Sequence, residues 1–160
     1  MSLSIMLLGA GQMGTSALSI LARSLPDAQF TIVDRSPDSL RLGAAVAPNR
    51  ILTRQLDILR DGLDATGADL VVNFAGPFFL GSDTAARAAI AAGAAYVDVC
   101  DDAEGTRTIL QIDDLAKKSR SAGDHRRWSF AWGLELDCQQ SARHPSGIEW
   151  DQDCLDHARS

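Results

Sequence analysis

The chain has 160 residues, of which 46% are hydrophobic and 22% charged, and this composition is typical of a single soluble globular domain. A formal net charge of −6 offers no basic surface to a phosphate backbone, so we expect no nucleic acid partner. Three scattered cysteines, no signal-peptide pattern and no apolar run near the roughly 20 residues of a membrane span favour a cytoplasmic protein without a membrane partner.

The N-terminal segment predicts a strand, a glycine-rich turn and a helix. Residues 3–8 form a nearly continuous apolar run, which is typical of a parallel strand covered on both faces. The turn GAGQMG follows it directly. In the next segment, Ala17, Ile20, Leu21 and Ser24 are spaced for one buried face of a helix.

The same alternation of strand and helix continues to residue 123. Further strands are expected at 29–33, 51–56, 68–75 and 94–99. Further helices are expected at 37–45 after the cap Ser36, at 58–66, between a cap at Ser82 or Asp83 and a stop at Gly93, and at 104–119. This rhythm predicts βαβ units and a parallel sheet, and five strands in the order 3-2-1-4-5 would make most of a Rossmann-type, doubly wound α/β domain.

Three glycines in the first turn have the spacing G-x-G-x-x-G of a dinucleotide-binding loop. Gly9 permits a tight turn, Gly11 lets the backbone approach a pyrophosphate, and Gly14 allows the helix to lie close to the strand. Free amides at the start of the helix would then face the phosphates. The residues between the glycines complete the predicted phosphate-binding turn: Ala10, Gln12 and Met13.

An acidic residue, Asp34, ends the second predicted strand, 20 residues after Gly14, where a carboxylate accepts hydrogen bonds from the adenosine ribose. This carboxylate favours NAD, because it would repel a ribose 2′-phosphate, whereas the neighbouring Arg35 could pair with that phosphate. The sequence therefore predicts either NAD or NADP as a bound small-molecule dinucleotide. Asp57, after the third strand, could reach an adenine edge or cap a helix.

The segment NFAGPFF, residues 73–79, leaves the fourth strand beside the point where ligands lie in such sheets. Ala75 and Gly76 are small enough to admit the nicotinamide half of the cofactor. Phe78 and Phe79 are expected in the core.

Three aspartates, Asp98, Asp101 and Asp102, cluster at the end of the fifth strand. They could act in acid–base chemistry or bind a cationic substrate, but a helix cap is the commoner role for Asp101 and Asp102. Cys100 is interpreted as a small core residue, because the pattern places no histidine near it.

Over about residues 3–123, the chain resembles the saccharopine dehydrogenase-like NAD(P)-binding family. Three motifs carry the resemblance: LLGAGQMG, VVNFAGPFFLGSDTAARAAIAAGAAYVDVCDD and IDDLAKKSRSAG. The resemblance implies a cofactor domain of an oxidoreductase acting on an amino-acid or related C–N bond. It implies cofactor contacts at Gly9, Gly11, Gly14, Asp34 and the Ala75–Gly76 turn, and it carries over no catalytic residue.

In the resembling family a second domain supplies most of the substrate site, and no such domain is recognised in this chain. We therefore expect a truncated chain that is inactive alone, although by resemblance the family is enzymatic. The oligomeric state stays open, a homo-oligomer included.

Two other classes compete with this interpretation. A nucleotide-sensing regulatory module, such as the potassium-channel regulatory domain, also begins G-x-G-x-x-G, but it usually carries glycine-aspartate-alanine where this chain has RQLDIL. A methyltransferase normally has an acid before the glycine loop, where this chain has Leu7 and Leu8.

Residues 124–160 break the pattern and hold all three tryptophans. Reading the codons one base later from Asp124 turns Trp128 into glycine, and Trp132 with Gly133 forces a second glycine four positions on, as the family pattern glycine-x-x-proline-glycine requires. We hypothesise that a frameshift produced this tail, which should then be poorly ordered with exposed tryptophans. The alternative is a genuine extension with a helix at 150–158. Its cysteines and histidines fit no closed zinc site, so no metal is expected: Cys138, His144, Cys154 and His157.

Overall fold

The computed structural model describes residues 2–112, which form a five-stranded parallel sheet with helices on both faces. The strands are β1 (Ser4–Leu8), β2 (Gln29–Asp34), β3 (Ile51–Gln55), β4 (Leu70–Asn73) and β5 (Ala95–Asp98). The helices are α1 (Gln12–Ser24), α2 (Pro37–Ala44), α3 (Ile58–Asp61), α4 (Ser82–Ala92) and α5 (Ala103–Gln111), with a short 3-10 helix at Phe78–Leu80.

The strand order is β3-β2-β1-β4-β5, and every neighbouring pair is parallel. The predicted fold class and strand order are confirmed. The chain winds outward from β1 to β3 and then returns to the other side of β1, so the direction of winding reverses between β1 and β4. Ligands bind at the carboxyl ends of the strands at such a switch point.

The central strand β1 feeds a hydrophobic core on each face of the sheet, because successive side chains of a strand point to opposite faces. Ile5 and Leu7 join the cluster on one face, with Leu18 of α1. Met6 and Leu8 join the cluster on the other face, where α4 and α5 pack. All four side chains are buried, which explains the continuous apolar run in the sequence.

The predicted buried face of α1 is correct for Leu21, which is half-buried against the core, and for the half-buried Ala17, but it is wrong for Ile20 and Ser24. Ile20 is 57% exposed, Ser24 is exposed, and the helix instead buries Gly14, Leu18 and Ala22. The rotation of α1 follows from its first turn, since a Cβ atom at Gly14 would overlap the carbonyl oxygen of Gly9. With Gly14 against the strand, the residues four and eight positions later must face the sheet as well.

Two other helices differ from the prediction at their ends. The helix expected at 58–66 stops after Asp61, because Gly62 adopts a φ of 73° that ends the helical turn. The helix α4 begins at Ser82 with Gly81 as its N-cap and no side-chain cap. Asp83 lies inside the first turn and accepts a hydrogen bond from Arg87, so it is not the cap. Gly93 ends α4 in the left-handed conformation, as predicted.

Phe79 does not lie in the core: its side chain is 56% exposed, while Phe78 is half-buried. Phe78 lies close to α5, since a Cβ atom at Gly105 would come within 3.3 Å of the Phe78 Cβ atom. No helix within residues 2–112 is long and apolar enough to span a membrane. The predictions for residues 113–123, for the tail 124–160 and for its cysteines and histidines lie outside the described residues.

Candidate functional site

A cleft of about 350 Å³ opens at the carboxyl ends of the strands, at the switch point between β1 and β4. It receives residues from the glycine turn, the end of β2, the segment after β3 and the turn after β4. Its lining residues are Gly9, Gly11, Val33, Asp34, Arg35, Ser36, Ser39, Leu56, Asp57, Ile58, Leu59, Phe74, Ala75, Gly76, Pro77 and Gly81.

Two glycines of the turn are required by close backbone packing. Gly9 has a φ of 83°, and a Cβ atom there would lie 2.8 Å from the amide nitrogen of Ala75. Its own amide donates to the carbonyl of Val33 over 2.8 Å. Gly14 leaves no room for a Cβ atom beneath the carbonyl of Gly9. The tight turn and the close helix–strand contact predicted for these two glycines are therefore present.

Gly11 is free of such constraints, since a Cβ atom there would meet no atom within 4 Å. It lines the cleft and is the N-cap residue of α1, a helix that no side chain caps. The first amides of a helix have no acceptor within the helix, and they carry the positive end of its dipole. An anionic group such as a pyrophosphate thus fits the open space over this helix end.

Asp34 is held rigidly at the end of β2. Its Oδ2 atom accepts a hydrogen bond from the amide of Ala10 over 2.7 Å, and its Oδ1 atom accepts one from the amide of Ser36 over 2.8 Å. A carboxylate has about four acceptor positions, so this one can still receive the hydroxyl groups of a ribose. The acid and the glycine turn, 24 residues apart in sequence, form one structural unit.

Three polar residues surround Asp34 at the mouth of the cleft. Arg35 is exposed, and its backbone carbonyl accepts a hydrogen bond from the side chain of Gln55. Ser36 caps α2 by accepting from the amide of Ser39, as its place before Pro37 predicted. Asp57 caps α3 by accepting from Leu59 over 3.1 Å and also lines the cleft, so the cap predicted for it is present.

The turn after β4 forms the opposite wall. The amide of Phe74 donates to the carbonyl of Leu8 over 2.7 Å, and the amide of Ala75 donates to the Oδ1 atom of Asn73 over 2.9 Å. The peptide bond between Gly76 and Pro77 is cis. Both predicted small residues, Ala75 and Gly76, lie in the cleft wall.

Seven of the eleven predicted cofactor residues line the cleft together: Gly9, Gly11, Asp34, Arg35, Asp57, Ala75 and Gly76. The other four, Ala10, Gln12, Met13 and Gly14, do not line it. Ala10 and Gly14 are buried beneath the turn, and the side chains of Gln12 and Met13 are exposed. Sequence reasoning missed Ser39 and Asn73, although the helix cap at Ser36 and the motif around Asn73 were signals for both.

The aspartates at the end of β5 and after it do not join the cleft lining. Asp98 accepts from the amide of Cys100 over 3.1 Å, and Asp102 caps α5 by accepting from Glu104 and Gly105. Asp101 is exposed, and Cys100 is half-buried instead of lying in the core. Within residues 2–112, no group of three metal-ligating side chains is assembled here or elsewhere.

Solved structures with a similar fold include several dehydrogenases. The WlbA dehydrogenase from Chromobacterium violaceum, in complex with NADH and UDP-GlcNAcA, is 21% identical with a TM-score of 0.54, over 72% of this chain and 33% of its own. The lactate dehydrogenase from Cryptosporidium parvum is 14% identical with a TM-score of 0.56, over 72% and 41%. A Thermoplasma acidophilum protein described as a methyltransferase is 15% identical with a TM-score of 0.53, over 69% and 49%.

These likenesses establish the fold, and this chain spans about a third of the length of the WlbA dehydrogenase. No curated protein matches the chain. Residues 5–130 match the model of the saccharopine dehydrogenase NADP binding domain, so the resemblance seen in the motifs is confirmed. With the glycine turn, the acid at the end of β2 and this match over most of its length, the chain belongs to the family of saccharopine dehydrogenase NADP-binding domains.

Proposed function

We propose that the cleft binds a nicotinamide dinucleotide and that this domain serves an NAD(P)-dependent oxidoreductase acting on an amino-acid or related C–N bond. The observation that carries the proposal is Gly11, which lines the cleft at the uncapped start of α1 and has open space where its side chain would be. An unfilled position of this kind suits the backbone approach to a pyrophosphate.

Each part of the dinucleotide has a matching part of the cleft. The pyrophosphate would lie over the first amides of α1, and the adenosine ribose would lie against Asp34. The nicotinamide half would then extend toward the turn at 74–77, where Ala75 and Gly76 leave room for a flat ring. The bound nicotinamide would supply hydride transfer, and the residues of this domain would hold and orient it.

The position of Asp34 favours NAD over NADP. Both of its oxygens accept backbone hydrogen bonds, so the carboxylate cannot easily turn away from a 2′-phosphate. Two like charges about 4 Å apart repel by roughly 1 to 4 kcal/mol in water or near a protein surface. Arg35 is exposed on a long side chain, and holding its guanidinium beside the phosphate would cost conformational entropy.

Isothermal calorimetry on the full chain, with NADH and NADPH in turn, tests the proposal. We expect NADH to bind and Gly11→Val to weaken binding by at least about tenfold, since the added side chain would occupy the space of the pyrophosphate. Ser16→Val, on the exposed side of α1, is the matched control and should leave affinity unchanged. If neither nucleotide binds the wild-type chain at millimolar concentration, the proposal is wrong.

A further inference from the structure

Asn73, the last residue of β4, has a buried polar side chain, with 1% of its surface exposed. Both polar atoms of its carboxamide are hydrogen-bonded. Oδ1 accepts from the amide of Ala75 over 2.9 Å, and Nδ2 donates to the hydroxyl of Tyr96 over 3.0 Å. Buried polar groups are costly unless they are paired, so both hydrogen bonds stabilise this arrangement.

Tyr96 extends the connection to β5. Its side chain is 1% exposed, and its hydroxyl also interacts with the side chain of Asp98. Burial, with the Asp98 carboxylate as the next contribution, raises the pKa of Tyr96 well above its usual range, so the hydroxyl stays protonated. Asp98 in turn accepts from the amide of Cys100. A continuous polar chain therefore joins the turn after β4 to the segment after β5.

Only a carboxamide suits position 73, where this series of hydrogen bonds begins. Asn73 must accept a hydrogen bond from the Ala75 amide and donate one to the Tyr96 hydroxyl, and a carboxylate could not donate. In the sheet register Asn73 lies directly beside Asp98, so an aspartate at position 73 would also face a second carboxylate. Position 73 therefore requires a side chain that both accepts and donates a hydrogen bond and carries no negative charge.

The hydrogen bond to Ala75 controls a wall of the cleft. Ala75 and Phe74 pack on the glycine turn so closely that a Cβ atom at Gly9 would lie 2.8 to 3.0 Å from their backbone atoms. A shift of this turn would therefore alter both the nicotinamide end of the cleft and its contact with the glycine turn.

We propose that Asn73 and Tyr96 are positioning residues that hold the turn at 74–77 in place for the nicotinamide half of a bound dinucleotide. This inference rests on the proposed function. It predicts a selective defect, because the adenosine half lies against Asp34 and α1, away from this turn.

The test compares two ligands, NADH and ADP-ribose, which share the adenosine and pyrophosphate but differ in the nicotinamide. Affinities are measured by calorimetry on the full-length wild type, Asn73→Ala and Tyr96→Phe. Asn49→Ala, at an exposed asparagine, is the matched control. Thermal unfolding of each variant is followed by circular dichroism, and Tyr96→Phe keeps the buried ring should Asn73→Ala fail to fold.

We expect Asn73→Ala to bind NADH about tenfold more weakly and ADP-ribose within about twofold of the wild type, corresponding to about 1.4 kcal/mol of selective loss. Tyr96→Phe should show a smaller loss in the same direction. Equal losses for both ligands, or no loss for either, in folded variants would overturn the positioning role. A wild type that binds neither ligand would instead overturn the proposed function.

Discussion

At the scale of single residues, Asp34 has a structural task as well as its proposed ligand. Its carboxylate receives the Ala10 amide from the glycine turn and the Ser36 amide from the start of α2. These bonds connect two loops that are far apart in sequence. Charged acceptors make stronger hydrogen bonds than neutral ones, so the carboxylate orders the turn in addition to its proposed role at the ribose.

Replacing Asp34 should change the choice between nucleotides. We expect the wild type to bind NADH at least about tenfold more tightly than NADPH, and Asp34→Ala to reduce that ratio by removing the repulsion of the 2′-phosphate. Calorimetric titration with both nucleotides measures the ratio. Asp38→Ala removes the same charge at an exposed neighbouring position and should leave the ratio as it is in the wild type. An unchanged ratio in Asp34→Ala would contradict the assignment.

Tyr96 is the only tyrosine in the sequence, so its ionisation can be followed directly. Because burial raises its pKa in the folded state, the neutral hydroxyl stabilises the fold fully below about pH 10, the usual tyrosine pKa, and this stability is lost as pH rises above that value. Alkaline titration of tyrosinate absorbance should show no ionisation while the circular dichroism stays native. A tyrosinate signal with a midpoint near pH 10 in the folded chain would contradict the burial of this hydroxyl. In Tyr96→Phe, the decline in the free energy of unfolding above pH 10 should be shallower.

At the scale of helices, the described N-termini fall into two groups. Side chains cap α2, α3 and α5, through Ser36, Asp57 and Asp102. The N-cap residues of α1 and α4 are instead glycines, Gly11 and Gly81, which both line the cleft. Only Gly11 has open space around it, because a Cβ atom at Gly81 would overlap Leu59. The uncapped and open start of α1 is thus the natural place for an anion.

Substitutions at Asp102 can distinguish a role as the cap of α5 from a role in ligand binding. Asp102→Ala should lower the free energy of unfolding by about 1 kcal/mol, because two amides of α5 lose their acceptor, and Asp102→Asn should lower it less. Denaturant unfolding measures both changes. NADH affinity should stay constant, and Asp101→Ala, at an exposed position, should alter neither quantity. A loss of NADH affinity in Asp102→Ala without a loss of stability would indicate a ligand role instead.

At the scale of the whole molecule, the order β3-β2-β1-β4-β5 decides where the cleft forms. β1 and β4 are neighbouring strands, and the loops that follow them lead away from each other. The space between these loops lies at the carboxyl ends of the two strands. The end of β2, on the other side of β1, adds Asp34 to the same rim. The parallel pairing of the strands thus brings together the loop after β1, the loop after β4 and the end of β2, which are far apart in sequence.

We propose that residues 124–160 arose by a one-base frameshift near codon 124, and the gene sequence tests this. Read one base later, any gene for this chain gives glycine at positions 128 and 132 and asparagine or serine at 135, so the test is whether position 131 reads proline. A stop codon in that frame close to position 135, or a codon other than proline at 131, would contradict the frameshift and support a genuine extension.

The elements, their order in the sheet and the residues of the glycine turn could be predicted from the sequence, because they depend on local patterns. A continuous apolar run predicts a strand buried on both faces, and Gly14 meets a steric limit within its own turn, at the carbonyl of Gly9. The positions of Asp34 and Ala75 at the cleft follow from the parallel topology, since carboxyl ends of parallel strands share one edge.

The tertiary structure alone decided how these parts fit together. Apolar spacing placed Ile20 on the buried face of α1, whereas the contact between Gly14 and Gly9 rotates the helix so that Ile20 is exposed. The hydrogen bond from Asn73 to Tyr96 crosses from β4 to β5 and joins two residues that are 23 positions apart in sequence. Local sequence therefore determined the elements and the glycine turn, while packing between elements decided which side chains are held together at the cleft.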